Sequence, residues 1–94
     1  MHPDGAEAIE WDDGNETELR GHSISPRDVE DVFMDRPIWV PNKRERSGDW
    51  LMLGRNRGGR RLTVVVKWDE VRRVLRPITG WDTSQGERTK YFHD

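Results

Sequence analysis

Apolar positions along the chain change their spacing once, and that change divides it into two kinds of structure. Val29, Val32 and Phe33 follow the i, i+3, i+4 spacing of one helical face. Ahead of them Ser25 is placed to cap, Pro26 takes the first helical position, and Asp28 sits three after Ser25 as a capping-box partner. Ile24 and Val29 occupy the staple positions on either side of that cap. The pattern predicts a helix over about 26–35, ended by Pro37. Beyond Pro37 the period becomes two. Ile38–Val40 reads as a short edge strand stopped by Pro41, and Trp50–Arg55 and Leu62–Trp68 read as strands joined through Asn56-Arg57-Gly58-Gly59. Asp69-Glu70 turns the chain into a strand over Val71–Ile78, which Gly80 is expected to break.

The flanks are less strongly patterned. Residues 1–7 combine Pro, Gly and acids with little to bury, and read as a disordered tail. Ala8–Trp11 is a candidate first strand, and Asp12–Gly21 a polar turn or weak helix. Lys43–Gly48 reads as a basic loop, and Asp82 or Thr83 as the cap of a final helix reaching about Phe92. The predicted order is β-α-α-β-β-β-β-α. That is an α+β domain over 8–94, with a small antiparallel sheet of four to five strands, two N-terminal helices and one C-terminal helix.

Composition narrows what such a domain does. At 94 residues with 32% apolar and 36% charged positions there is room for one thin core. No cysteine is present, no apolar run approaches the ~18 residues of a membrane span, and no signal-peptide core follows Met1, so a cytoplasmic protein is the expectation. The overall charge of −2 conceals a polarity. Residues 1–42 hold three basic side chains against eleven acidic ones; residues 43–94 hold thirteen basic, mostly Arg, against seven acidic. Arg offers a planar fork of donors suited to phosphate, so the second half is a candidate anion-binding surface, unless the two halves neutralise each other.

Strand alternation selects which cations can act together. Arg61, Thr63, Val65 and Lys67 share one face of their strand and Arg55 ends the neighbouring one; in the next, Arg72 and Arg76 alternate against Arg73, so Arg55, Arg61, Lys67 and either face of that strand can form a cross-strand cluster, or remain ordinary solvated residues. Glu87 and Tyr91, four apart, share a face of the final helix. A carboxylate, a phenol and Arg side chains are the parts of a metal-independent phosphodiester cleaver: one group takes the ribose 2′-OH proton, cations hold the phosphate, and an acid protonates the leaving oxygen. The same spacing also suits a plain surface pair. His2, His22 and His93 are scattered without metal-ligand spacing, so neither a metal nor another cofactor is expected. Of the five tryptophans, Trp11, Trp50 and Trp68 read as core, and Trp39 and Trp81, beside Pro or Gly breaks, as exposed candidates for base stacking.

Taken in order, these segments resemble the BrnT family of ribonuclease toxins from type II toxin–antitoxin pairs. The resemblance runs from Glu10-Trp11-Asp12, through His22 in "GHSIS", to the helix ending Glu30-Asp31-Val32-Phe33. It continues through "LMLGRNRGGRRLTVVV" (Leu51–Val66), Arg76…Thr79, and Glu87-Arg88…Tyr91, covering about 80 residues. It implies a RelE-like fold, RNA cleavage without metal, and neutralisation by a cognate DNA-binding antitoxin. By matched position it implies Arg55, Arg76, Glu87 and Tyr91 as the catalytic set. Around them, Arg61, Lys67, Trp81, Arg88 and His22 are expected to bind RNA or phosphate. The family's second Arg falls on Trp81 here, its Ser on Thr79, and a Lys before the His on Gly21. The alternative expectation is therefore a non-catalytic relative that binds RNA or a protein partner through the same surface.

Overall fold

In the computed structural model, residues 2–42 and 49–92 are described; the basic loop expected over 43–48, and His93, lie outside them. The elements follow the order β1 (Ala8–Ile9), α1 (Asp13–Arg20), α2 (Pro26–Met34), β2 (Ile38–Pro41), β3 (Trp50–Arg55), β4 (Arg61–Asp69), β5 (Val74–Asp82) and α3 (Gln85–Tyr91). The strands form one sheet in the order β1-β5-β4-β3-β2, so the α+β class holds. The sheet is mixed, however, where an antiparallel one was expected. Ala8 and Ile9 pair parallel to Val74 and Leu75, because α1 and α2 and three strands intervene before the chain returns beside β1.

Local chemistry explains the helices. Around α2, Ser25 Oγ accepts from the Asp28 amide (3.1 Å) and Asp28 returns the bond to the Ser25 amide (3.0 Å), while Ile24 and Val29 are both buried. A second capping box, Asp12 with Asn15, starts α1. A third, Ser84 with Glu87, starts α3, where Asp82 or Thr83 was expected to cap it. Asp82 is otherwise engaged, since its carboxylate takes the Arg60 guanidinium at 2.6 Å.

The core lies on the sheet face covered by α1 and α2. Leu19, Ile24, Val29 and Val32 from the helices meet Met52, Leu62, Val64, Val66 and Leu75 from the strands. Gly80 does not end β5; it pairs with Val64 inside the strand. A Cβ there would lie 3.0 Å from the Thr63 carbonyl and 3.2–3.3 Å from Leu19 and Ile24, so glycine lets α1 sit down on the sheet. Pro41 likewise stays within β2, opposite Trp50. The start of β5 is three residues later than expected: Asp69 accepts from the Val71 and Arg72 amides and Arg73 adopts φ 59°, which makes 70–73 a turn.

Residues 2–7, read from composition as a tail, carry contacts. Pro3 is buried in a 3-10 turn, the His2 ring stacks edge-on against Trp39 and Trp50, and Arg73 donates to the Gly5 carbonyl. Trp39, expected to be exposed, packs against the core together with Trp11, Trp50 and Trp68.

Carboxylates tie the elements together, and this makes the fold acid-sensitive. Bonds from Arg76 and Arg60 hold Asp12 and Asp82 below the ordinary carboxylate value of 3.8. Burial alone would raise Asp28, but bonds from Ser25 and Asn56 outweigh it and the net shift is downward. A carboxylate with a depressed folded pKa stabilises the fold above its unfolded value, and the contribution is lost as pH falls through the folded value. Thermal melts followed by circular dichroism from pH 7 to pH 2 are expected to show Tm level down to about pH 4 and falling below it. In Arg60→Gln the acid-dependent part should shrink. A Tm unchanged between pH 4 and pH 2 would contradict these assignments.

Candidate nucleic-acid interface

Five of the predicted site residues, Arg55, Arg61, Lys67, Arg76 and Trp81, fall on the second face of the sheet; Glu87, Arg88 and Tyr91 lie on α3, and His22 in the turn between α1 and α2. Register places Arg55 opposite Arg61, Leu53 and Trp81 on either side of Thr63, Leu51 and Thr79 on either side of Val65, and Arg76 opposite Lys67. One irregularity decides the composition of that face. Val65 pairs with Thr79 but Val66 with Pro77, so Ile78 is an extra residue in β5. Without it, Arg76 would share a face with Ile78 and Gly80; with it, Arg76, Thr79 and Trp81 line up together.

The expected single cation cluster is divided. Arg55 and Arg61 sit at one end of β4 and Lys67 and Arg76 at the other, six residues apart. At about 3.3 Å per residue that is roughly 20 Å. The middle of the face is apolar or neutral, with Leu53, Thr63 and Val65 buried.

Much of the positive charge is already answered from within the chain. Arg76 pairs with Asp12 at the start of α1, and Arg72 binds Glu10 (3.1 Å) and Asp69 (2.9 Å). Arg73 reaches Glu7 at 3.4 Å. Arg60, which sequence reasoning passed over, is the most connected of these cations. It binds Asp82 and donates to the carbonyls of Ser23 (2.6 Å) and His22 (3.3 Å), fixing the α1–α2 turn to the β3–β4 hairpin. Glu7, Glu10 and Asp12 of the acidic N-terminal half thus act as internal counter-charges to Arg73, Arg72 and Arg76. Asn15 is the other overlooked anchor: buried, it donates to the carbonyls of Glu10 and Pro77 and joins α1 to the irregular stretch of β5.

At the Arg55–Arg61 end, α3 crosses the second face. Glu87 Oε1 accepts from Thr63 Oγ1 (3.1 Å), Trp81 Nε1 (3.1 Å) and the Ser84 amide (2.9 Å). Among the described residues, Oε2 carries no hydrogen bond. Trp81 is therefore a half-buried partner of Glu87, not an open stacking platform. Tyr91 is half-buried with Lys90 Nζ 5.4 Å from its ring centre. The Arg61 guanidinium lies 5.4 Å from the centre of the Phe92 ring. Together with Gln85, Arg88 and Thr89, these two line a pocket of about 230 Å³.

His22 belongs to a neighbouring group. Its Nε2 is 3.3 Å from Glu18 Oε2, which also accepts from Thr79 Oγ1 at 2.8 Å. Thr79 is two residues from Trp81 on the same face, about 7 Å along the strand. Beside it α1 and β5 enclose a cleft of about 410 Å³ lined by Asn15, Glu18, Arg76 and Thr79. Arg61, Trp81, Glu87 and Arg88 are thus gathered at α3, while Arg55, opposite Arg61 in register, lines a cavity with Asp31 and Asp35; His22 adjoins the α3 group through Thr79, and Arg76 and Lys67 stand apart. Among the described residues no three His, Asp or Glu side chains group as metal ligands. No described helix is long and apolar enough to cross a membrane. Neither a family model nor a curated protein matches the chain.

Proposed function

We propose that this protein is a metal-independent endoribonuclease of the BrnT toxin type, with a RelE-like fold. It acts in the cytoplasm and is restrained by a cognate DNA-binding antitoxin. The observation that carries this reading is that Glu87, bonded to Thr63 on β4, stands two residues from the Arg55–Arg61 register pair at the same end of that strand. A proton acceptor beside cations is what RNA transesterification needs. In this reading Glu87 Oε2 takes the 2′-OH proton and the 2′ oxygen attacks the adjacent phosphorus. The bond to the 5′ oxygen breaks, and Tyr91 returns a proton to that leaving oxygen. Arg55 offsets charge on the phosphate, and Arg76, with Lys67, holds the backbone farther along the sheet. The three donors on Oε1 keep the Glu87 carboxylate in place while Oε2 reacts.

The test is incubation of purified protein with single-stranded RNA in EDTA. Fragments ending in 2′,3′-cyclic phosphate and 5′-hydroxyl are expected, together with growth arrest when the chain is expressed without a partner. Intact RNA and normal growth would defeat the proposal. A second reading, binding of RNA or a protein partner without cleavage, is favoured by Arg76 being held by Asp12 and by Trp81 standing where the family has Arg. It expects complex formation to survive Tyr91→Ala and Glu87→Gln.

A further inference from the structure

The cleft between α1 and β5 is built around a held carboxylate. Glu18 Oε2 accepts from Thr79 Oγ1 at 2.8 Å and lies 3.3 Å from His22 Nε2. These contacts come from β5 and from the α1–α2 turn, so they fix the carboxylate from two elements. Among the described residues, Glu18 Oε1 carries no hydrogen bond. The β5 wall of the cleft is fixed as well. Buried Asn15 donates to the Pro77 carbonyl at 3.1 Å, and Ile78, the extra residue of the strand, lines the cleft beside it. Pro77 and Ile78 make that wall apolar. The volume, about 410 Å³, falls within the ~300–1,000 Å³ of small-ligand sites.

An ionised carboxylate only accepts hydrogen bonds. Beside an RNA strand it repels the phosphates, so what it attracts are N–H donors on the edges of bases. Guanine presents two neighbouring donors, N1–H and the N2 amine, to the two oxygens of a carboxylate. Adenine and cytosine present one exocyclic amine beside an acceptor nitrogen, and uracil one N–H between two carbonyls, so each sets an acceptor against the carboxylate. A planar base also suits an apolar wall. Arg76, which holds the backbone in the mechanism above, lines the same cleft, so a base next to that phosphate lies within reach of Glu18.

We infer that this cleft is a base subsite which selects guanine through the Glu18 carboxylate, with Thr79 and His22 as positioning residues. Glu18 is not among the residues that the family resemblance implies. The extension to RNA rests on the ribonuclease reading; the guanine chemistry of the cleft does not. Glu18 takes no part in bond breaking, so its loss should change where RNA is cut more than how fast.

The experiment titrates the full ¹⁵N-labelled chain with 5′-GMP, 5′-IMP and 5′-AMP, which share one ribose and phosphate and differ in the base. GMP is expected to shift the amides of Glu18, Ile78 and Thr79 saturably and to bind about 10-fold more tightly than AMP. IMP, which keeps N1–H and lacks the N2 amine, should fall between them. Glu18→Gln, at an exposed position, should keep Tm within about 4 °C and bring GMP and AMP within about 2-fold of each other. Thr79→Val, which releases Oε2, should reduce the preference part-way. Glu16→Gln, on the same helix but paired with Arg20, should leave it intact. On RNA, the parent should cut at a fixed position relative to guanosine, and Glu18→Gln should cut without base preference at a rate within about 3-fold. Equal binding of GMP and AMP by the parent, or an undiminished preference in Glu18→Gln, would overturn the subsite. A GMP preference together with cutting that ignores guanosine would overturn its place along the RNA strand. If GMP is preferred and RNA stays uncut, the guanine subsite stands and the ribonuclease reading falls.

Discussion

Glu87→Ala is expected to abolish measurable RNA cleavage and to lower Tm as well, whereas Glu87→Gln should abolish cleavage alone. Alanine removes the N3 half of the α3 capping box and the acceptor for Thr63 Oγ1 and Trp81 Nε1. A lost cap and lost side-chain bonds cost about 1–3 kcal/mol together. In a domain this small each kcal/mol moves Tm by roughly 4–8 °C. Glutamine keeps an oxygen for the Oε1 donors and changes stability by less than about 1 kcal/mol. It does not accept the 2′-OH proton, so cleavage should fall by about 10²–10⁴-fold, as in alanine. Melts and cleavage assays on both variants separate the roles. Full cleavage by Glu87→Gln would remove Glu87 as the base, and an unchanged Tm in Glu87→Ala would remove it as the anchor of α3.

Leu19→Ala should produce the largest loss of stability, about 3 kcal/mol for a fully buried leucine that leaves a cavity. That lowers Tm by roughly 12–24 °C and is a large share of the ~5–15 kcal/mol typical of a whole domain. Leu19 packs over Gly80 in the middle of the helix–sheet contact, and its carbonyl accepts from the amides of both His22 and Ile24 at 2.9 Å. Alanine keeps that backbone carbonyl, so loosening of the α1–α2 turn that carries His22 should come from the cavity left under α1. Denaturant unfolding gives the magnitude, and amide exchange should show His22 and Ile24 losing protection before the β3–β4 pair. A midpoint within error of the parent protein would show that α1 does not hold the sheet as described.

The α2 start was legible because every part of it is local: Ser25, Pro26 and Asp28 act within four residues of one another, and Ile24 and Val29 bury beside them. The β3–β4 hairpin was legible for the same reason, with alternating apolar residues meeting at a glycine-bearing connection. The expectations that changed involved distant residues. Gly80 carries a turn signal, yet in the fold it is the position where Leu19 and Ile24 come closest to the sheet. Residues 2–7 hold few apolar side chains, yet Trp39 and Trp50 give His2 a surface to stack on. The family resemblance supplied Glu87 and Tyr91, and it is the tertiary contacts to Thr63 and Trp81 that give Glu87 an anchoring part besides.

By itself, then, the amino-acid order determined the α+β class, the element sequence and the capped entry to α2, because periodicity and capping are properties of neighbours along the chain. It also carried the uneven charge of the two halves. Only the tertiary structure decided which of those charges face outward. Long-range pairing set Asp12 against Arg76, Glu10 against Arg72 and Asp82 against Arg60, and the extra residue at Ile78 turned Arg76 onto the face of Thr79 and Trp81. What began as a generally basic half is resolved into a narrower place, the end of β4 under α3, because a salt bridge depends on distance in space and charge counting along a sequence does not contain it.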